Sequence, residues 1–512
     1  MAETAPIQLL CYTLLCVLVL AILAKLLKLT SSSARHGLKN LPPGPWALPV
    51  IGHLHLLLGA LPHQAMQRLA QRHGPVMLLR LGHVPTLVLS SPEAARSVMK
   101  THDAVFASRA MSATADIFTC GGENIAFARH DSAHWKALRR LCTMELLGPK
   151  RVRSFRPIRE EEAARLVRSI AAGASSSSSG IVDVGEKMNV MMNDVIMRVS
   201  EAFLEELGKA VVLMSGFNLT DLFPASRLAR ALGGGTLRVA TEVHGRMDSI
   251  IDDMIVDHKR AMDGDDAQDD HAGREREDIL TTLLRFQRDG GMMGGVTLTD
   301  ENVRGVLLDL FTAGSETSAT TTVWALSELM RNPHIMAVAQ SEVLRVLDGK
   351  TTVTEEDIDG RLPYIEMVIK ETLRLHAPVP LLLPRVCPEP SEVMGYDVPP
   401  GTTVLVNVWA IGRDDKSWTD ASEFKPERFE SEVADYGGKD FRFLPGGSGR
   451  RVCPGMAFGV SNVKIALASL LYHFDWKLPG GKGPEMLDMA EDAGLATRRK
   501  TPLLLEATPF VL

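Results

Sequence analysis

The chain has 512 residues, of which 45% are hydrophobic and 23% charged, so it carries enough apolar mass for a large core. That excludes a disordered chain or a small scaffold held by disulfides. With 56 Lys and Arg against 62 Asp and Glu, the net charge is -6, which argues against a nucleic-acid binder. The six cysteines (Cys11, Cys16, Cys120, Cys142, Cys387 and Cys453) are widely spaced and form no CxxC pair, so neither a disulfide framework nor a structural zinc site is indicated.

Ile7 to Ala24 is an apolar run interrupted only by Gln8 and Thr13, long enough for one membrane crossing. Lys25, Lys28, Arg35 and Lys39 follow it, so the body is expected on the cytosolic side of a single anchor spanning 1–29. A basic, proline-rich hinge over 30–45 follows, ending in Leu41-Pro42-Pro43-Gly44-Pro45, whose fixed φ angles predict a stiff spacer. The remainder, 46–512, is read as one catalytic domain.

Val76 to Leu81 and Val84 to Leu89 are β-rich segments around Gly82-His83 and predict a hairpin. Ser91-Pro92-Glu93 opens a short helix. From residue 132 the signals are mainly helical. Ala174 to Gly180 predicts a flexible loop, and the charged stretch Met262 to Asp278 a solvated connection. Thr299 to Arg331 reads as one long helix, stopped before Asn332-Pro333. Its middle, Ala313-Gly314-Ser315-Glu316-Thr317-Ser318, combines small, polar and β-branched residues that compete for backbone hydrogen bonds. The class is mainly α with small β-sheets (α+β).

No G-x-G-x-x-G occurs, Gly349-Lys350-Thr351 lacks the upstream glycine of a P-loop, and Gly446-Gly447-Ser448-Gly449 fails the nucleophile-elbow spacing. Nicotinamide chemistry must therefore arrive through another protein. Gly446-Gly447-Ser448-Gly449-Arg450-Arg451-Val452-Cys453-Pro454-Gly455 carries glycines that allow close backbone approach to a flat ligand. Pro454 suits a first helical position, and an apolar-periodic run from Val460 to Phe474 follows. Cys453 is thus expected at a helix amino terminus, where N–H groups favour a thiolate able to serve haem iron.

This stretch resembles the haem-binding signature of cytochrome P450, F-x-x-G-x-R-x-C-x-G, through Gly449, Arg451, Cys453 and Gly455. It departs at the aromatic position, occupied by Gly446. Glu371 and Arg374, three apart on one helix face, resemble the family's E-x-x-R pair, and Pro426-Glu427-Arg428-Phe429 its PERF segment. Ala313 to Ser318 is similar to the oxygen-binding motif A-G-x-[DE]-T-[TS]. Trp135 and Arg139 match W-x-x-x-R, which with Arg385 and Arg451 holds haem propionates. Asn407-x-Trp409-Ala410-x-Gly412-Arg413-Asp414 looks like the plant A-type microsomal members.

The resemblance implies a cytochrome P450 fold behind one transmembrane helix in the endoplasmic reticulum membrane, with the catalytic domain cytosolic. It implies haem b ligated by Cys453, and O2 as co-substrate. Electrons would come from an NADPH-cytochrome P450 reductase, NADPH binding only that partner. Ala313 and Gly314 would flank the cofactor, Thr317 would serve as the active-site alcohol, and Glu316 as a proton relay. The implied activity is mono-oxygenation of a small apolar plant metabolite, with a terpenoid favoured over phenylpropanoid, indole and fatty substrates. An O2-independent thiolate-haem isomerase or dehydratase is the alternative that Gly446 keeps open. Substrate contacts are expected from Phe118, Ile125, Leu308, Phe311, Val379, Leu382 and Ala493, an apolar set suited to a substrate delivered by membrane lipid. Residues 136–156 carry Lys136, Arg139, Arg140, Lys150, Arg151, Arg153 and Arg156 against Glu145 alone, a basic face expected to steer the reductase.

Overall fold

In the computed structural model the described residues are 39–510, apart from 177–179, 198–200, 215–217, 266–277, 291, 294–295, 433 and 493. The expected anchor at 1–29 and the first part of the hinge lie outside them. Among the described residues no helix is long and apolar enough to cross a membrane. The proline segment is docked rather than free: the Leu78 N–H donates to the Pro43 carbonyl at 3.0 Å, and a Cβ on Gly44 would stand 2.5 Å from the Leu78 oxygen.

Helix α1 (Pro62–His73) leads into β1 (Val76–Leu81) and β2 (Val84–Leu89), the predicted hairpin with the predicted bounds. Ser91 caps the short helix Pro92–Arg96 by accepting the Ala94 N–H. Ser132 caps α2 (Ala133–Leu141) in the same way through Trp135. Next come α3 (Arg156–Ser176), β3 (Ile181–Asp183), α4 (Val184–Ile196) and the long α5 (Arg227–Asp265). Thus α3 continues two residues past Ala174, and α5 three past Met262, into the expected loops.

The helix predicted over 299–331 forms as α6 (Asp300–Leu310), a π-helical turn (Phe311–Ser315) and α7 (Glu316–Arg331). Thr299 and Asn302 close a capping box at its start. The π turn overlaps the residues of odd propensity at Ala313, Gly314 and Ser315 and begins two residues before them. The Ser315 and Thr317 hydroxyls donate to the carbonyls four residues back, at 2.6 Å each, competing with the helical ladder there. Helix α8 (Pro333–Val346) and α9 (Pro363–Leu375) follow, then β4 (Arg385–Cys387), β5 (Thr402–Val406), α10 (Met456–His473), β6 (Phe474–Lys477) and β7 (Leu504–Pro509).

One sheet runs β1-β2-β5-β4, with only β2 and β5 parallel, and a second runs β6-β7-β3. The long helix crosses two cores. Val303, Val306, Leu307 and Phe311 pack with Phe203, Met247 and Leu283. Ala325, Leu326 and Leu329 pack with Val343, Ile369 and Leu467. Every residue from Ser318 to Met330 is buried, as a helix surrounded on all sides requires. The π turn sits between the two cores, where α7 and α10 enclose an internal chamber.

Candidate active site

The chamber has a volume of ≈ 280 Å³. Ala313, Gly314 and Thr317 from the long helix form one wall, and Pro445, Gly446, Gly447, Cys453 and Gly455 the opposite one. The cysteine loop is closed by the Cys453 N–H donating to the Gly446 carbonyl at 2.8 Å. Gly449 has φ +72°, and a Cβ there would run into the Met99 carbonyl, so only glycine lets the loop lie against that strand of chain. Gly449 does not border the chamber; it shapes the loop from behind.

Helix α10 starts at Met456, two residues after Pro454. The intervening turn leaves the N–H groups of Gly455 and Met456 directed at the Cys453 sulfur. Burial pushes the Cys453 thiol up from its ordinary value, and those two N–H groups and Arg139 oppose the rise. The sulfur is deep in the protein yet accessible from the chamber. Cys142 also borders the chamber, but it is buried and burial pushes its thiol up to about 12. Only Cys453 therefore combines access with donors that stabilise a thiolate.

Four arginines converge on the chamber: Arg109, Arg139, Arg385 and Arg451. Arg451 lies 4.8 Å over the Trp135 ring and donates to the carbonyls of Ala107 (2.8 Å), Ile125 (3.1 Å) and Ala128. Trp135 itself does not border the chamber; its indole N–H holds the Ile125 carbonyl at 3.0 Å. Arg139 donates to the Val452 carbonyl at 2.5 Å, and Arg385 to the Ser448 carbonyl at 3.1 Å and to Asp103 at 3.4 Å. Arg109 donates to the carbonyls of Ala126 (3.0 Å) and Leu383 (2.7 Å). Burial and the charges of Arg385, Arg451 and Arg139 hold its pKa well below the ordinary arginine value. Sequence reasoning missed Arg109, because it sits in a loop with no spacing partner.

Asp309 is a second missed residue. It borders the chamber and clamps the loop over it, accepting from Asn124 Nδ2 (2.6 Å), the Ile125 N–H (2.7 Å) and the Ala126 N–H (3.3 Å). Burial raises its pKa to about 7 against the pull of those donors. A carboxyl whose folded pKa exceeds its unfolded one makes the fold relatively more stable at low pH, and that stability is lost as pH rises from about 4 to about 7. Compared with Asp309→Asn, the wild type is expected to lose of order 2 kcal/mol between pH 5 and 7 and only a few tenths more to pH 8. Unfolding midpoints across that range check this; parallel curves for the two proteins would refute it.

Of the expected substrate contacts, Ile125, Val379 and Leu382 border the chamber. Phe118, Leu308 and Phe311 do not. All three are buried in the core, with Phe311 edge-on to Phe203 at 4.9 Å and Phe118 edge-on to His244 at 6.0 Å. The face that the long helix turns to the chamber is instead Leu310, Ala313, Gly314 and Thr317. Ala493 lies outside the described residues. A second cavity, ≈ 970 Å³ and largely apolar, shares Arg109, Val379, Leu382 and Leu383 with the chamber.

Away from the chamber, Glu371, Arg374 and Arg428 come together. Arg374 donates twice to Glu371, at 2.7 Å each, and Arg428 donates to the same carboxylate at 2.9 Å. This cluster braces the start of the segment that leads into the cysteine loop.

The family model "Cytochrome P450" matches residues 42–505. This chain belongs to the cytochrome P450 family. It is 46% identical over 503 residues to the dolabradiene monooxygenase of Zea mays, covering 96% of this chain and 97% of that protein. It is 46% identical over 502 residues to the ent-isokaurene C2/C3-hydroxylase of Oryza sativa, covering 96% and 95%. A solved zebrafish cytochrome P450 structure with progesterone superposes with a TM-score of 0.71 at 25% identity, covering 88% of this chain and 99% of that one. This P450 is a monooxygenase of the haem b, cysteine-thiolate class, which uses O2 and electrons passed from NADPH by a reductase. The chamber suits that cofactor. Its four guanidinium groups, buried at Arg385 and Arg451 and half-buried at Arg109 and Arg139, meet one bordering carboxyl, Asp309, and Asp103 behind Arg385, so the site holds excess positive charge that the two carboxylates of haem b would balance. The same chamber holds an accessible sulfur flanked by N–H donors.

Proposed function

We propose that this protein is an endoplasmic reticulum membrane monooxygenase that hydroxylates an apolar terpenoid. The observation that carries this reading is that the cysteine chamber and the larger apolar cavity adjoin, sharing Arg109, Val379, Leu382 and Leu383. At that cavity's mouth Leu58 and Val212 stay 79% and 59% exposed, which suits entry from lipid. The relatives named for dolabradiene and ent-isokaurene support the terpenoid class.

In this reading Cys453 would supply the thiolate that ligates the haem, and Arg109, Arg139, Arg385 and Arg451 would hold its propionates. When bound, the haem supplies the oxidising chemistry. The balance is RH + O2 + NADPH + H+ → ROH + H2O + NADP+: one C–H bond gives way to C–OH, and the second oxygen leaves as water. The protein's residues orient and protonate. Val379, Leu382 and Ile125 hold the substrate against the Ala313–Gly314 wall. Thr317 presents a hydroxyl on that wall, and Glu316, next to it but off the chamber, passes protons inward from solvent.

The reductase is proposed to dock on the cysteine side, where Leu147 lies 3.7 Å from the Cβ position of Gly455. The basic run is only partly available there. Arg139 reaches the Val452 carbonyl, Arg151 donates to the Glu145 carbonyl and covers Phe155, and Arg156 pairs with Glu355 at 3.6 Å. Lys136, Arg140, Lys150 and Arg153 are exposed, with Met144 among them. Reconstitution with a plant reductase, NADPH and a panel of terpene hydrocarbons tests the whole reading. One hydrocarbon is expected to give an alcohol only with O2 and reductase. The initial rate is expected to fall with added salt, and to fall roughly tenfold with Lys150→Glu and Arg153→Glu combined. Turnover without O2 would overturn the monooxygenase reading, and an unchanged rate and salt dependence in the double variant would overturn the docking face.

A further inference from the structure

We propose that Arg498 is a positioning residue that ties the carboxylate of Glu316 to the carboxy-terminal hairpin, so that proton supply depends on the loop that borders the substrate cavity. This rests on the reading of Glu316 as the proton relay. The Arg498 guanidinium pairs directly with Glu316, and the Thr320 hydroxyl donates to the same carboxylate at 3.2 Å. Glu316 opens α7 immediately after the π turn, with its side chain 11% exposed. The carboxylate is thus fixed from outside by a residue some 180 positions further along the chain.

The hairpin that carries Arg498 is itself held against the long helix. The Asp492 N–H donates to the Arg498 carbonyl and the Lys500 N–H to the Ala490 carbonyl, at 2.8 Å each. The Trp324 indole of α7 donates to the Thr497 carbonyl at 3.0 Å. The other arm is anchored by Glu491, a buried carboxylate that accepts from His63 (2.9 Å), Gln64 (2.8 Å) and Trp409 (3.1 Å). His376 stacks on Trp324 at 4.1 Å and bonds Glu328 of α7 at 2.7 Å, with its other nitrogen 3.9 Å from Glu491. Between the two arms, Asp492, Gly494, Leu495 and Thr497 border the second cavity.

A piece of chain held at both arms therefore touches both the space a substrate crosses and the acid beside the active-site alcohol. Substrate that settles the hairpin settles Glu316 through Arg498. Without the guanidinium, Glu316 loses its fixed orientation. O2 is then released as hydrogen peroxide, O2 + NADPH + H+ → H2O2 + NADP+, at the expense of product.

The test uses the haem-loaded full chain with reductase and its best substrate. Four proteins are compared: wild type, Arg498→Met, Arg498→Lys and Glu316→Gln. The readouts are product and peroxide per NADPH, the solvent isotope effect, and amide exchange over 491–499. Arg498 is partly exposed, so Arg498→Met is expected to fold. It is expected to cut product per NADPH roughly tenfold with a matching rise in peroxide, less than the 10²–10⁴ effect of a positioned acid as a whole, and to speed exchange over 491–499. Arg498→Lys is expected to recover most of both. If Glu316→Gln shifts the product-to-peroxide ratio and the isotope effect but Arg498→Met does not, Arg498 has no positioning role. If Glu316→Gln shifts neither, the proton-relay reading fails and this inference fails with it.

Discussion

Arg374→Met is expected to leave no recoverable haem-loaded protein. Arg374 is fully buried, and its guanidinium bonds both oxygens of Glu371 and the carbonyls of Gly412, Ala421 (2.7 Å) and Glu423 (3.0 Å). Glu371 is equally buried and also receives the Lys425 N–H at 2.8 Å and Arg428. Methionine fills comparable volume but leaves a buried carboxylate short of its main cation, a loss of about 3–5 kcal/mol. Each carbonyl left unpaired adds about 1–3 kcal/mol. Together these rival the 5–15 kcal/mol that typically separates folded from unfolded domains. Lysine should rescue little, because one ammonium cannot span three carbonyls and a carboxylate in a plane. Arg428→Met is expected to be milder: Glu371 then keeps both Arg374 bonds. Yield of spectrally intact protein after purification ranks the three, and a well-folded Arg374→Met would refute the structural role.

Gly446→Phe, which restores the aromatic of the family signature, is expected to weaken rather than strengthen the haem site. A Cβ at Gly446 would stand 2.7 Å from the Met456 sulfur, 2.8 Å from its Cγ and 3.1 Å from the Cys453 Cβ. Met456 thus occupies the room that the aromatic would need, beside the thiolate loop. Overpacking of this kind costs about 1–3 kcal/mol, and here the strain falls on the cysteine. The expected result is a lower melting temperature and lower haem occupancy. Adding Met456→Ala should recover at least half of the loss by clearing the space, a coupling that independent sites would not show. Gly446→Phe as stable as wild type on its own, or a double variant with Met456→Ala that recovers none of the loss, would contradict this account.

How far the sequence reached depended on whether a feature was local. The hairpin bounds were legible because turn residues and alternation act over a few positions. The site for a π turn was legible as a run of poor helix formers, but the helix face turned to the chamber was not. Apolarity alone points Leu308 and Phe311 at the substrate, whereas Leu310 and Ala313 border the chamber, because the core packed around the helix decides which face is inside. The basic run 136–156 gave its charge correctly but not its directions. Arg139, Arg151 and Arg156 are drawn to carbonyls, a ring and an acid that only the fold brings near. Arg109, Asp309 and the Arg498–Glu316 pair join distant parts of the chain, and no spacing rule can register them.

The central claim is that Cys453, and not Cys142, supplies the thiolate, and the carbon monoxide difference spectrum of the reduced protein tests it most directly. Wild type and Cys142→Ala are expected to show the strongly red-shifted band of a thiolate-ligated haem. Cys453→Ala is expected to lose that band while the protein remains folded by circular dichroism. A red-shifted band that survived in Cys453→Ala, or that vanished in Cys142→Ala alone, would contradict the account.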